Sequence, residues 1–166
     1  MRILGVDPGL RITGYGMVEA DADRLRLIQA GALRTRPSES LPLRLRSIHE
    51  GLVGVIAALR PDEVAVEGLF HARNASSALR LGHARGVILL AVGSAEIPLF
   101  EYSPREVKQA VVGTGRAEKH QVQEMVRILL RQDHCLAPTD VSDAVSVAVC
   151  HANTLPFRRL LKRQIR

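Results

Sequence analysis

Met1-Arg2-Ile3-Leu4-Gly5-Val6-Asp7-Pro8-Gly9 opens the chain with an apolar run that ends in an acid at a turn. Residues 2–7 read as a buried strand, and Pro8-Gly9 breaks it. Two further strand-like runs, Tyr15 to Ala20 and Arg24 to Arg34, are joined by a polar turn at Ala20-Asp21-Ala22-Asp23 and predict an antiparallel meander. Apolar residues then recur at helical spacing from Leu41 to Leu59, and Pro61 stops that helix. Glu63 to Glu67 is a short buried strand. Ala75 to Ala95 reads as a helix rich in small residues, including Gly82 and Gly86, and Pro98 to Tyr102 as another strand. Ser103 and Pro104 open a helix as N-cap and first helical residue. After Gly113-Thr114-Gly115 comes a helix near Glu118 to Arg131. Thr139 caps a last one through about Ala152. Three strands followed by alternating helix and strand predict an α/β fold: one mixed sheet with helices on its faces.

Composition agrees with this and removes other classes. At 166 residues the chain is one domain's worth, at roughly 100–200 residues per domain. Hydrophobic residues make up 46% and charged residues 24%, which is globular rather than disordered or fibrous. The two cysteines, Cys135 and Cys150, are too few for a disulfide scaffold and fit a reducing, cytoplasmic compartment. A charged strand end at Asp7 is unlike a signal-peptide core. The apolar run Val87 to Val92 falls far short of the ~20 residues that cross a bilayer, so no membrane role is expected. Net charge is +6, but five of the positive residues lie after Phe157, leaving residues 1–157 at +1. The expected organisation is therefore a domain over 1–152 and a basic tail over 153–166.

Four acids interrupt otherwise apolar segments. Asp7 and Glu67 end strands, where ligands of open α/β sheets gather. Asp140 and Asp143 lie three apart in a first helical turn and share one face. Hard oxygen donors on rigid elements suit Mg²⁺ or Mn²⁺. Two such ions about 3.5–4 Å apart can activate water for phosphoryl displacement. Each acid also fits a structural role: a turn residue, a solvated strand end, or a pair favouring the helix dipole. Beside Glu67, Phe70 either anchors its loop or stacks on a base for ~1–3 kcal/mol. Arg73, Asn74, Arg80 and Arg85 follow in a stretch without acids and could meet phosphates or simply water.

The ordered set Gly5-Val6-Asp7-Pro8-Gly9, Val66-Glu67-Gly68-Leu69-Phe70, Ser77 to Gly86, Val107-Lys108-Gln109, Val111 to Gly115, Ala117-Glu118-Lys119 and Asp140-Val141-Ser142-Asp143-Ala144 resembles the RuvC family of Holliday junction resolvases. The match is collinear over about residues 1–152. It implies a ribonuclease H-like fold and a homodimer that nicks two opposed strands of a four-way DNA junction, leaving ligatable ends. It further implies Asp7, Glu67, Asp140 and Asp143 as catalytic metal ligands for two Mg²⁺ per subunit, with Mn²⁺ able to substitute. Lys108 and Lys119 match the family's basic positions for DNA contact and cleavage. Phe70 matches an aromatic that stacks on unpaired bases, with Arg73, Asn74 and Arg80 as DNA-binding neighbours. A RuvA-RuvB branch-migration complex is the partner implied. Residue by residue, Asp7 is expected to bridge the ions, the other acids to complete their shells, and Lys119 to offset charge at the scissile phosphate. A nucleotide-binding ATPase-like domain and a non-catalytic junction-binding module remain as alternatives, as does another small ribonuclease H-like nuclease.

Overall fold

Alternation along the first strand sorts the molecule into layers. In β1 (Arg2–Asp7), Leu4 and Val6 point into one buried cluster, Ile3 joins another, and Gly5 and Asp7 share the Ile3 face. The computed structural model describes residues 1–21, 24–68 and 75–164, with side chains described through residue 155. β2 (Ile12–Asp21) and β3 (Arg24–Arg34) complete the expected antiparallel meander, and β4 (Glu63–Glu67) and β5 (Leu99–Tyr102) add in parallel on the other side of β1. The sheet order is β3-β2-β1-β4-β5. Helices α1 (Leu41–Leu59) and α2 (Ala75–Ser94) cover the Leu4 and Val6 face. Helices α3 (Pro104–Val112), α4 (Lys119–Leu129) and α5 (Thr139–Gln164) cover the other. This is the mixed sheet flanked by helices that the sequence predicts.

Two segments depart from expectation. β2 starts at Ile12 rather than Tyr15, because Gly14 pairs with Asp7 and Gly16 with Gly5 in the antiparallel ladder. Glycine is a poor strand former, which hides this start in the sequence. The residues are small because α5 lies directly on the sheet there. A Cβ on Gly5 would sit 2.0 Å from the Ala144 carbonyl oxygen, and one on Gly14 2.0 Å from that of Asp140. The other departure is α5, whose helical backbone passes Ala152 and Pro156 and ends at Gln164. A proline deletes one helical donor, and here the chain accommodates that loss.

Local signals elsewhere act as read. Ser103 caps α3 in a capping box with Glu106, with Pro104 at the first position. The paired hydrogen bonds from Ser103 hold the Glu106 carboxyl below its ordinary range. Gly113 ends α3 at φ 87°, where a Cβ is strained. Cys150 is a packed core residue, its thiol pushed up to about 12 by burial and then by Glu106.

Candidate active site

The sheet brings the two strand-end acids together. β1 and β4 are parallel neighbours with Val6 level with Val66, so Asp7 and Glu67 emerge side by side from their carboxyl ends. Both point to the α5 face, by the alternation that buries Val6 and Val66 on the other. Gly5 and Gly14 then let the first turns of α5 settle onto β1 and β2, bringing Asp140 and Asp143 over the same spot. The four acids converge as expected, and a helix seated on glycines is what delivers two of them.

Crowding leaves an electrostatic signature. Burial, and then the charges of Glu67, Asp143 and Asp140, push the Asp7 carboxyl from its ordinary 3.8 to about 8. Glu67 is also raised, by burial and then by Asp143. Its hydrogen bond with Asp7 and the charges of Lys119 and Lys108 pull the other way. Asp143 is raised chiefly by burial against the pull of Lys119, with Asp140 adding to the rise. The Lys119 ammonium lies 2.5 Å from Asp143 Oδ2. Partial loss of water works against that charge, but the Asp143 contact and the fields of Asp7 and Asp140 outweigh it and raise Lys119.

A cleft of about 260 Å³ opens beside these groups, lined by Glu67, Lys108, Lys119 and Asp143 with Pro104, Val107, Val122 and Ser146. Lys108, on α3, and Lys119, at the start of α4, thus reach the acids from a different side than the strands do. Among the described residues no three ligand side chains stand as a closed ion cage. Lys119 takes one Asp143 oxygen, and Asp7 and Glu67 hydrogen-bond each other. The chemistry of the set still fits a divalent cation, since four carboxylates share a site where the only ion pair among the described residues is Lys119 with Asp143.

Other sequence candidates fall elsewhere. Arg80 is exposed near the start of α2. Arg85, read from the sequence as a phosphate or solvent group, is 14% exposed and ion-paired with Glu101 of β5. Phe70, Arg73 and Asn74 lie outside the described residues.

A family model described as crossover junction endodeoxyribonuclease RuvC matches residues 3–151. The chain belongs to the RuvC family. It is 54% identical to the crossover junction endodeoxyribonuclease RuvC of Syntrophotalea carbinolica, over 97% of this chain and 99% of that one. Identity to the RuvC of Geobacter sulfurreducens is 51%, over 98% of each. Among solved structures, T. thermophilus RuvC in complex with Holliday junction substrate matches with a TM-score of 0.88 at 32% identity, covering 95% of this chain and 96% of that one. The yeast mitochondrial Holliday junction resolvase Ydc2, at 13% identity and a TM-score of 0.72, shares the fold. As a RuvC-family member the chain is a crossover junction endodeoxyribonuclease, a phosphodiester hydrolase of the ribonuclease H-like fold. All four acids, Lys108 and Lys119 therefore lie within the family match, and Glu67, Asp143 and the two lysines line one cleft. Sequence reading did not find the ion pair of Lys119 with Asp143, because the two are 24 residues apart and a lysine at a helix start looks solvated.

Proposed function

We propose that the chain is a homodimeric, Mg²⁺-dependent Holliday junction resolvase that nicks two opposed strands of a four-way junction and leaves ligatable 5′-phosphate ends. The observation that carries this reading is the convergence of Asp7 and Glu67, from adjacent parallel strand ends, with Asp140 and Asp143 on the helix seated over Gly5 and Gly14. So much negative charge at one point suits a cation and then a phosphodiester. Asp7, Glu67, Asp140 and Asp143 would hold two Mg²⁺ per subunit, with Mn²⁺ able to substitute. When bound, such ions activate water and neutralise charge on the attacking and leaving oxygens.

The chain's own residues do the remaining work. Asp7, whose carboxyl feels the charges of the other three acids, would hold the ions together with Glu67, Asp140 and Asp143. Lys119 leaves Asp143 for the scissile phosphate and stabilises its developing charge, and Lys108 holds the neighbouring backbone in the cleft. Phe70 stacks on unpaired bases near the crossover, with Arg73, Asn74 and Arg80 on adjoining phosphates.

Paired cuts in a near-symmetric junction call for two sites related by a two-fold axis. The outer face of α2 supports such pairing. Leu79 is 63% exposed and Leu90 59%, on a face with Gly82, Gly86 and Gly93, where an added Cβ would meet nothing. Leucines beside open glycines let two helices approach closely. A RuvA-RuvB branch-migration complex is the partner that the family implies. No helix among the described residues is long and apolar enough to cross a membrane, and a cytoplasmic location is proposed on the reducing-compartment reading of the cysteines.

The decisive experiment is cleavage of a synthetic mobile four-way junction with Mg²⁺, with EDTA, and with Asp7→Asn. Paired, ligatable nicks only with Mg²⁺ and intact Asp7 are expected. Equal cleavage in EDTA would refute the metal reading. Tight junction binding without nicks in Mg²⁺ would favour a recognition module.

A further inference from the structure

The middle of α5 holds a polar cluster that the chemistry above does not use. His151 is completely buried, with Nε2 2.5 Å from Glu63 Oε2 and Nδ1 2.7 Å from the Tyr102 hydroxyl. Its ring stacks on Phe100 at 4.6 Å between centroids. The Tyr102 hydroxyl also meets Thr154 Oγ1 at 2.9 Å. Both ring nitrogens are thus engaged, and the imidazole is held in one orientation by strands β4 and β5.

We propose that Glu63, His151 and Tyr102 form a positioning lock that sets α5 lengthwise on the sheet and thereby places Asp140 and Asp143 against Asp7 and Glu67. The inference rests on the metal-site reading above. Its basis is that β4 and α5 meet twice, through residues on one face of the strand. At one end Glu67 faces Asp143, and at the other Glu63 bonds His151. The spacings agree. Glu63 and Glu67 are four residues apart on a strand, about 13 Å at ~3.3 Å each. Asp143 and His151 are eight apart on a helix, about 12 Å at ~1.5 Å each. A helix locked at His151 therefore arrives at Glu67 with Asp143 in register.

The glycine track cannot do this alone. Gly5 and Gly14 set how closely α5 approaches, but they offer a smooth backbone surface with no side chain to stop a slide or a roll. Above Gly5 the helix presents the backbone of Ala144 and Ala148, above Gly14 that of Asp140 and Val141, and above Gly16 the Val145 side chain, and packing of that kind is non-directional. A buried, directional hydrogen-bond pair has one satisfied geometry, and a displaced helix would strand Glu63 and His151 without partners. Directional contacts of this type fix register where apolar packing leaves it loose.

The test is the Mg²⁺ concentration that half-saturates junction cleavage, measured beside junction affinity in EDTA and melting temperature. Tyr102→Phe removes one hydroxyl, His151→Phe removes both hydrogen bonds while filling the space, and His151→Gln keeps a donor for Glu63. Val149→Ala is the control, a core truncation of the same helix outside the lock. The half-saturating Mg²⁺ should rise roughly tenfold in His151→Phe, the low end for loss of an orienting partner, and less in Tyr102→Phe. It should return most of the way in His151→Gln, with junction affinity unchanged throughout. Val149→Ala should melt earlier but keep the wild-type midpoint. An unchanged midpoint in both His151→Phe and Tyr102→Phe, or an equal rise in Val149→Ala, overturns the lock. Should His151→Phe not fold, Tyr102→Phe against Val149→Ala decides. Wild-type cleavage that ignores EDTA would instead overturn the metal reading, and the lock with it.

Discussion

Asp7→Asn should make the metal-free protein more stable while ending its chemistry. The carboxyl titrates at about 8 in the fold against an ordinary 3.8, so near pH 7 it is folded mostly protonated and unfolded ionised. Each pH unit between 3.8 and 7 costs about 1.4 kcal/mol, or about 4 kcal/mol in all at pH 7. Asparagine keeps the size and offers Glu67 a hydrogen-bond partner, yet carries no such cost. Its amide will fit less well than a carboxyl and the acids relax around either, so about 4 kcal/mol is a ceiling. A gain of ~1–2 kcal/mol is expected, or about 2–8 °C in melting temperature for a chain of this size. The sign follows from linkage. An acid whose folded pKa is raised favours the fold below 3.8 and loses that contribution as pH rises, with none left above about 8. Calorimetry in EDTA from pH 5 to 9, at matched protein concentration, should show the wild type falling in stability towards pH 8 and the variant falling less. Excess Mg²⁺ should raise the wild type and leave the variant nearly unmoved. A variant that melts at or below the wild type at pH 8 in EDTA would refute the claim that the four acids crowd one another.

Lys119→Ala should slow cleavage about 10²-fold or more, as loss of a charge stabiliser does, with single-turnover rates on a bound junction as the readout. Junction affinity should fall only slightly; a large affinity loss at an unchanged rate would make Lys119 a binding residue alone. Gly14→Ala places a Cβ 2.0 Å from the Asp140 carbonyl oxygen, so α5 must lift. A loss of ~1–3 kcal/mol in denaturant unfolding and a higher Mg²⁺ requirement are expected, and a fully active, equally stable variant would count against the seating of α5. Leu79→Asp with Leu90→Asp should convert a dimer into a monomer in sedimentation, with each variant chain keeping its melting cooperativity. An unaltered dimer would move the interface off α2.

The acids could be read from the sequence because each breaks an apolar run, and a charged group at the end of a buried strand has few explanations. Asp7 and Glu67 stand out by the same alternation that buries Val6 and Val66. The fold was legible for a similar reason, since its strands and helices carry their own periodicities and caps, as Ser103 and Glu106 do for α3. What escaped were residues chosen for another element's sake. Gly14 and Gly16 weaken the apparent start of β2, and only α5 lying above them, its backbone over Gly14 and its Val145 side chain over Gly16, explains why glycine is there. Lys119 is singled out by the family motif alone, and its pairing with Asp143 is not legible because by itself it looks like any helix-start lysine. His151 is one histidine in an apolar helix, and its carboxylate partner is 88 residues away. Periodicity reports what a segment does for itself, whereas these residues report how segments fit together. That difference explains why the composition of the site was readable while its assembly was not. The acids had to be acids wherever the helix came to rest, but where it rests is decided by groups that, taken singly, resemble a turn glycine, a surface lysine and a core histidine.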